Sequence, residues 1–216
     1  MLYNVAMNPT FVHEKMFWNK GKRFVAGADE VGRGAFAGPV VAAAVIFDPL
    51  NINWPEKVLI RDSKKMTQKQ RLTALNWLKE NTYWGIGEVG VGYINKYGIK
   101  KSAERAFRRA LKEAQYHLPK RMDHLLVDAF FVPYAAGISR KRQTAIVKGD
   151  NISASIAAAS IIAKCHRDEK MQELGRKKEF KAYKWAKNVG YGTEEHRNAI
   201  TNLGVCRHHR RAFVHL

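Results

Sequence analysis

The 216 residues predict an α/β protein: a mixed five-stranded sheet flanked by helices, with a C-terminal helical part over about residues 170–216. Three observations lead there. Phe24–Glu30 and Gly38–Phe47 are apolar runs joined by about seven residues, too few for a helical crossover, so they should pair as an antiparallel hairpin. Downstream, short apolar runs of strand type alternate with longer segments of helical period. Hydrophobic residues make up 46% of the chain, enough for a real core.

Taken in order, residues 1–22 lack clear periodicity and read as a loosely packed arm, leaving residues 23–216 as a single domain. Gly38–Phe47 consists largely of small or β-branched residues, as a strand buried on both faces would. Val58–Ile60 reads as a short further strand. Thr67 is placed to cap a helix over Gln68–Asn81, with Leu72, Leu75 and Leu78 on one face. Thr82–Val91 alternates as a strand. Ile94–His117 has helical period, with Ala103, Phe107, Ala110 and Leu111 inward and cations outward. His124–Phe130 and Thr144–Lys148 are apolar strands. Asn151 or Ser153 can cap an alanine-rich helix that turns polar towards Lys178, and Thr193 and His196 open a last short helix.

The chain carries 38 basic against 19 acidic residues, a net charge of +19. Such a surplus points to a polyanion, nucleic acid first and an anionic membrane surface second. No run approaches the ~18 apolar residues of a membrane span, and residues 1–20 lack the pattern of a secretory signal. Cys165 and Cys206 form neither a metal spacing nor a disulfide framework, which suits a reducing cytoplasm.

Against this basic background four acids stand at or just after predicted strand ends: Asp29, Glu30, Asp128 and Asp150. Burying a charge without a partner is costly, and carboxylate oxygens are hard ligands suited to Mg²⁺ or Mn²⁺. Two such ions about 4 Å apart activate water and stabilise a leaving oxygen in phosphodiester cleavage. Singly, Asp150 could be a turn or cap residue and Asp128 could pair with a buried arginine. Their convergence favours a nuclease. Gly32-Arg33-Gly34 follows the acid pair, either as a turn needing positive φ or as a backbone approach to a sugar or phosphate. Tyr191 is a packed loop aromatic or a nucleotide-stacking one. Ser160 and Lys164, one helical turn apart, are an ordinary helix face or phosphate ligands. The cluster Arg207-His208-His209-Arg210-Arg211 lacks partners at metal spacing and reads as solvated.

The segments GADEVGRGAFAGPVVAAAVI, DSKKMT, LLVDAF, IVKGDNISASIAAASIIAKCHRD, GYGTEEH and HHRRAF lie along Val25 to Phe213. Through them the sequence resembles the prokaryotic type 2 ribonucleases H, the RNase HII family. The resemblance implies a ribonuclease H-like fold. It implies a metal-dependent endonuclease that cleaves the RNA strand of RNA–DNA hybrids. It also implies incision 5′ to a ribonucleotide embedded in duplex DNA, leaving a 3′-hydroxyl and a 5′-phosphate. The family's metal-binding acids fall on Asp29, Glu30, Asp128 and Asp150, with Mg²⁺ or Mn²⁺ in a two-metal site. Its motif that reads the 2′-hydroxyl falls on Gly32, Arg33 and Gly34. Its deoxyribose-stacking tyrosine falls on Tyr191, and its phosphate contacts fall on Ser160 and Lys164. The sequence departs from the family pattern before the long middle helix, where VGYINKYGIKK, with Asn95, replaces an acid-rich stretch. A cytoplasmic monomer acting on hybrids and ribonucleotide-containing DNA is expected. A nuclease of the same fold without ribose discrimination, or a non-catalytic basic RNA-binding protein, is the alternative.

Overall fold

The computed structural model describes residues 8–135 and 137–214. Five strands form one sheet in the order β3-β2-β1-β4-β5. The hairpin of β1 (Val25–Val31) and β2 (Val40–Ile46) is antiparallel, with Asp29 opposite Ala43. β3 (Tyr83–Val89) extends it antiparallel to β2. β4 (His124–Asp128) and β5 (Gln143–Ile146) continue the other side in parallel, as their helical or looped connections require. The expected mixed five-stranded sheet is therefore present, but Val58–Ile60 is not a strand. Val58 and Ile60 are buried as loop residues against the core beside Phe47 and Leu78, so their apolar character reflects packing, not pairing.

Each face of the sheet carries one long helix. α3 (Val91–His117) covers the face of Ala26, Ala28, Ala42 and Ala44, through Ala103, Ala106, Phe107 and Ala110. α3 bends at Gly98, whose φ of 79° breaks the helical run. α4 (Ala154–Arg176) and α2 (Gln68–Asn81) cover the other face, where Val41, Ala43 and Val45 meet Ala157, Ile161 and Leu78. Small residues let the backbones approach: a Cβ on Gly27 of β1 would overlap the backbone of Ser155 and Ile156 in α4. α2 begins as expected with a reciprocal cap, Gln70 N–H to Thr67 Oγ1 at 3.2 Å and Thr67 N–H to Gln70 Oε1 at 2.9 Å. Leu78 is buried on its inner face, whereas Leu72 is exposed. α5 (Trp185–Asn188) and α6 (Glu194–Leu203) form the C-terminal helical part around Trp185, Tyr183 and Ile200.

Two further expectations are corrected. In the segment expected as a loose arm, whose first seven residues lie outside the described ones, Val12–Trp18 forms α1 and Glu14 is fully buried. Thr10 forms a parallel bridge to Ser153, and Glu14 Oε1 accepts from Ser153 Oγ (2.6 Å), Ser155 N–H (3.0 Å) and the Ser155 hydroxyl. The segment thereby clamps the start of α4. The C-terminal basic cluster is likewise only partly solvated. Arg207 and Arg211 are exposed, but His209 and Arg210 are buried. His209 Nε2 donates to His196 Nε2 (3.1 Å), which also accepts from Trp185 Nε1 (3.0 Å), and His196 Nδ1 donates to the Tyr191 carbonyl (2.9 Å). Burial holds both histidines below the usual pKa, His209 at about 4, so both are neutral at pH 7.

Candidate active site

β1 and β4 run in parallel with Ala28 opposite Val127, so Asp29 and Asp128 emerge side by side at one sheet edge. Asp150 arrives from the turn Gly149–Asn151 that follows β5, the next parallel strand. Alternation along β1 puts Asp29 on the α4 face, where it is 6% exposed. Its carboxylate accepts from the Glu30 N–H at 2.7 Å, and the Ser160 hydroxyl lies near enough to lower its pKa. Ser160, on α4, is in turn 3.0 Å from the hydroxyl of Ser63. Asp128 Oδ1 accepts from the Gly149 N–H at 2.7 Å, which ties the β4 end to the turn carrying Asp150. Glu30 pairs with Arg33 at 3.2 Å, the one ion pair that any of the four acids makes among the described residues.

The electrostatics follow from this crowding. Burial raises the pKa of Asp29 well above the usual carboxylate range, and the charges of Glu30 and Asp128 add to it against the lowering effect of the Ser160 hydroxyl. Burial also raises Glu30, offset in part by Arg33 and reinforced by Asp128. Asp128 is raised by burial, eased by the Gly149 N–H, and raised again by Asp150. Among the described residues no group of three or more His, Cys, Asp or Glu side chains is closed into a set that could hold a metal ion. Three raised carboxylates that repel one another, with few cations to offset them, form a donor set suited to a hard divalent cation. The residues therefore fit such an ion by donor type, while no three of them are drawn together around one point.

Beside the acids lies the glycine-rich turn. Gly32 has φ of 86° and its missing Cβ leaves room for the Arg167 side chain, so the need for positive φ is real. Gly34 faces open space. The carbonyls of Gly32 and Arg33 both accept from Arg210 Nη1, at 2.6 and 2.9 Å. In a trans peptide the N–H points opposite to its C=O. The amides of Arg33 and Gly34 therefore point away from Arg210, at two exposed residues, and neither has an acceptor among the described residues.

The other expected residues are less uniformly placed. Ser160 is buried, bonds Ser63 and lowers the pKa of the neighbouring Asp29, so as the structure stands it faces the acid and not a phosphate site. Lys164 pairs with Asp168 at 2.8 Å on the same helix. Tyr191 is half-buried, with the cations of Lys164 and Arg167 5.9 and 5.2 Å from its ring centre. Residue-by-residue reading missed the roles of Ser63 and Lys64 in the DSKK turn. Ser63 bonds Ser160, and the charge of Lys64 acts on Asp128. Two adjacent lysines beside a serine in a loop were the available signal.

Adjacent carboxylates at the ends of parallel strands, on a sheet of this order, define a nuclease of the ribonuclease H class. Solved structures carry the fold. The ribonuclease H2 from Pyrococcus horikoshii OT3 superposes with a TM-score of 0.65 at 23% identity, covering 88% of this chain and 93% of that one. Bst-RNase HIII in complex with Mn²⁺ superposes with a TM-score of 0.68 at 22% identity, covering 89% of this chain and 65% of that one. The family model for ribonuclease HII matches residues 26–216. A ribonuclease HII of Synechococcus sp. (strain JA-3-3Ab) is 42% identical over 215 residues, 97% of this chain and 90% of its own. One from Ruegeria pomeroyi is 42% identical over 205 residues, 95% of this chain and 82% of its own. The chain belongs to the ribonuclease HII family, endonucleases that hydrolyse the RNA strand of RNA–DNA hybrids.

Proposed function

We propose that this enzyme incises duplex DNA on the 5′ side of an embedded ribonucleotide as well as cleaving hybrids, leaving a 3′-hydroxyl and a 5′-phosphate. Asp29, Glu30, Asp128 and Asp150 would hold Mg²⁺ or Mn²⁺, two ions being the natural load for four carboxylates. Bound there, the metal supplies an activated water and charge stabilisation for the leaving 3′-oxygen. The chain's own residues do the rest. The Glu30 amide holds Asp29 in one orientation. The Gly149 amide does the same for Asp128. The exposed amides of Arg33 and Gly34 are donors for the one group that distinguishes ribose from deoxyribose, the 2′-hydroxyl. Those two free amides, three and four residues beyond Glu30, are the observation that carries the reading. Tyr191 offers a ring face to the sugar on the 3′ side, and Lys164, released from Asp168, offers a point charge to a phosphate.

The net charge of +19 suits a polyanionic duplex. No helix among the described residues is long and apolar enough to cross a membrane. Cytoplasmic location agrees with two free cysteines, and a monomer suffices because every residue invoked lies on one chain. The test is labelled duplex DNA with one ribonucleotide, compared with its all-DNA twin under Mg²⁺ or Mn²⁺. Incision on the 5′ side of the ribonucleotide alone is expected, and Asp29→Asn should abolish it, as should EDTA. Cleavage of both duplexes would refute ribose selection; undiminished cleavage by Asp29→Asn would refute the metal assignment.

A further inference from the structure

Arg210 is a fully buried cation with no carboxylate partner among the described residues. Its guanidinium is solvated by carbonyls instead. Nη1 donates to Gly32 and Arg33, Nε donates to Gly38 at 2.9 Å, and Nη2 donates to Pro39 at 2.9 Å. Burial and the nearby charge of Arg167 both work against its protonated form. An apolar side chain would fill the same space without that cost. What an apolar residue could not do is fix four peptide planes on both limbs of the glycine-rich turn.

The turn has little else to hold it. Its one internal backbone bond, Ala35 N–H to Gly32 C=O, is long at 3.4 Å, and two of its three residues are glycines, whose backbone rotates freely. Arg210 is itself anchored from both sides. Its N–H donates to Phe36 C=O at 2.7 Å, and the Gly38 N–H donates to His208 C=O at 3.0 Å. The flanking residues are held by Asn95 of α3, which donates to His209 C=O at 3.1 Å and accepts from the Arg211 N–H at 3.0 Å. The asparagine that departs from the family's acid-rich pattern thus fastens the segment that carries the arginine.

We propose that Arg210 is a positioning residue for ribose selection: by holding the carbonyls of Gly32 and Arg33 it aims the amides of Arg33 and Gly34 at the substrate 2′-hydroxyl. This rests on the reading of the turn given under Proposed function. The guanidinium also polarises those peptide units, which strengthens the N–H donors at their far ends. The arginine acts through the backbone and touches neither substrate nor metal.

The experiment measures kcat/KM on duplex DNA with one ribonucleotide and on the same duplex with 2′-fluoro at that sugar, which removes the hydroxyl and leaves a poor acceptor. Arg210→Lys keeps charge and bulk but cannot span both carbonyls in a planar fork. The hydroxyl-over-fluoro ratio should fall about tenfold, the equivalent of one hydrogen bond. Leu78→Ala, a core truncation in α2, controls for destabilisation and should leave the ratio unchanged. If wild type shows no preference for the hydroxyl, the reading of the turn fails first. If wild type discriminates and Arg210→Lys retains the ratio while losing rate on both substrates, Arg210 is structural only and the proposal is overturned. Should Arg210→Lys not fold, Arg210→Ala is assayed with added guanidinium ion. Recovery of the ratio with guanidinium and not with sodium supports the proposal, and its failure overturns it.

Discussion

The carboxylate of Glu14 offers the sharpest stability test, because a buried acid seven elements from its partners in sequence holds the helix that follows Asp150. Oε1 accepts from Ser153 Oγ, Ser155 N–H and Ser155 Oγ, while Oε2 has no partner. In Glu14→Ala the two serine hydroxyls, 3.3 Å apart, can turn to each other, but the Ser155 amide keeps no acceptor. A stranded buried donor costs about 1–3 kcal/mol, and losing an anion at a helix N-terminus costs about 0.5–1 kcal/mol more. With the small cavity left behind, a total of about 3 kcal/mol is expected. At about 2–4 °C per kcal/mol for a chain of this size, Tm should drop by about 6–12 °C. Glu14→Gln keeps an acceptor at the Oε1 position and places its amide nitrogen where no acceptor waits, so about half that loss is expected. Calorimetric melts of the three proteins provide the measurement, with hydrogen exchange of the first turn of α4 as the local readout. A Glu14→Ala melt within about 2 °C of wild type, less than 1 kcal/mol, would show that α1 does not anchor α4. Since α4 begins four residues after Asp150, Glu14→Ala should also lower kcat more than KM.

Gly27→Ala should be worse than any ordinary surface change, because its Cβ would overlap the backbone of α4, which no rotamer can relieve. A loss of about 3 kcal/mol or more is expected from such overpacking, read as a drop in Tm or failure to accumulate folded protein; a wild-type melt would disprove the close approach of β1 and α4. A pH dependence follows from the C-terminal histidines. His209 falls from 6.5 to about 4 through burial and the neighbouring His196. The unfolded chain therefore binds more protons in that window, and stability should decline as pH falls from about 6.5 towards 4. His124, also held at about 4 by burial, contributes in the same direction, while the raised carboxylates act oppositely. Denaturant midpoints of wild type and His209→Gln at several pH values isolate the term: the slope should be shallower in His209→Gln, and identical slopes would exclude His209 as its source.

What was legible in the sequence was whatever broke its own context. Asp29 and Glu30 interrupt an apolar strand, and Asp128 and Asp150 end apolar runs, so each acid announces itself without a structure. The strands of the hairpin and the helix caps at Thr67 and Thr193 were equally plain, because pattern and cap chemistry are local. What was not legible were groups whose partners are backbone atoms. Every residue has a carbonyl, so nothing in RHHRR tells that Arg210 will bury itself against those of Gly32, Arg33, Gly38 and Pro39. The same blindness hid Glu14, whose partners are two serines and an amide more than a hundred residues away. Val58 and Ile60 erred in the opposite direction, since burial in a loop and pairing in a strand leave the same apolar trace. The two hidden groups share a logic. Each is a buried charge without an opposite charge, and each sits one step behind the site, Glu14 behind the helix after Asp150 and Arg210 behind the turn after Glu30. A charge solvated only by dipoles is retained at a cost, and here the dipoles it orders belong to the start of α4 after Asp150 and to the glycine-rich turn proposed to select ribose.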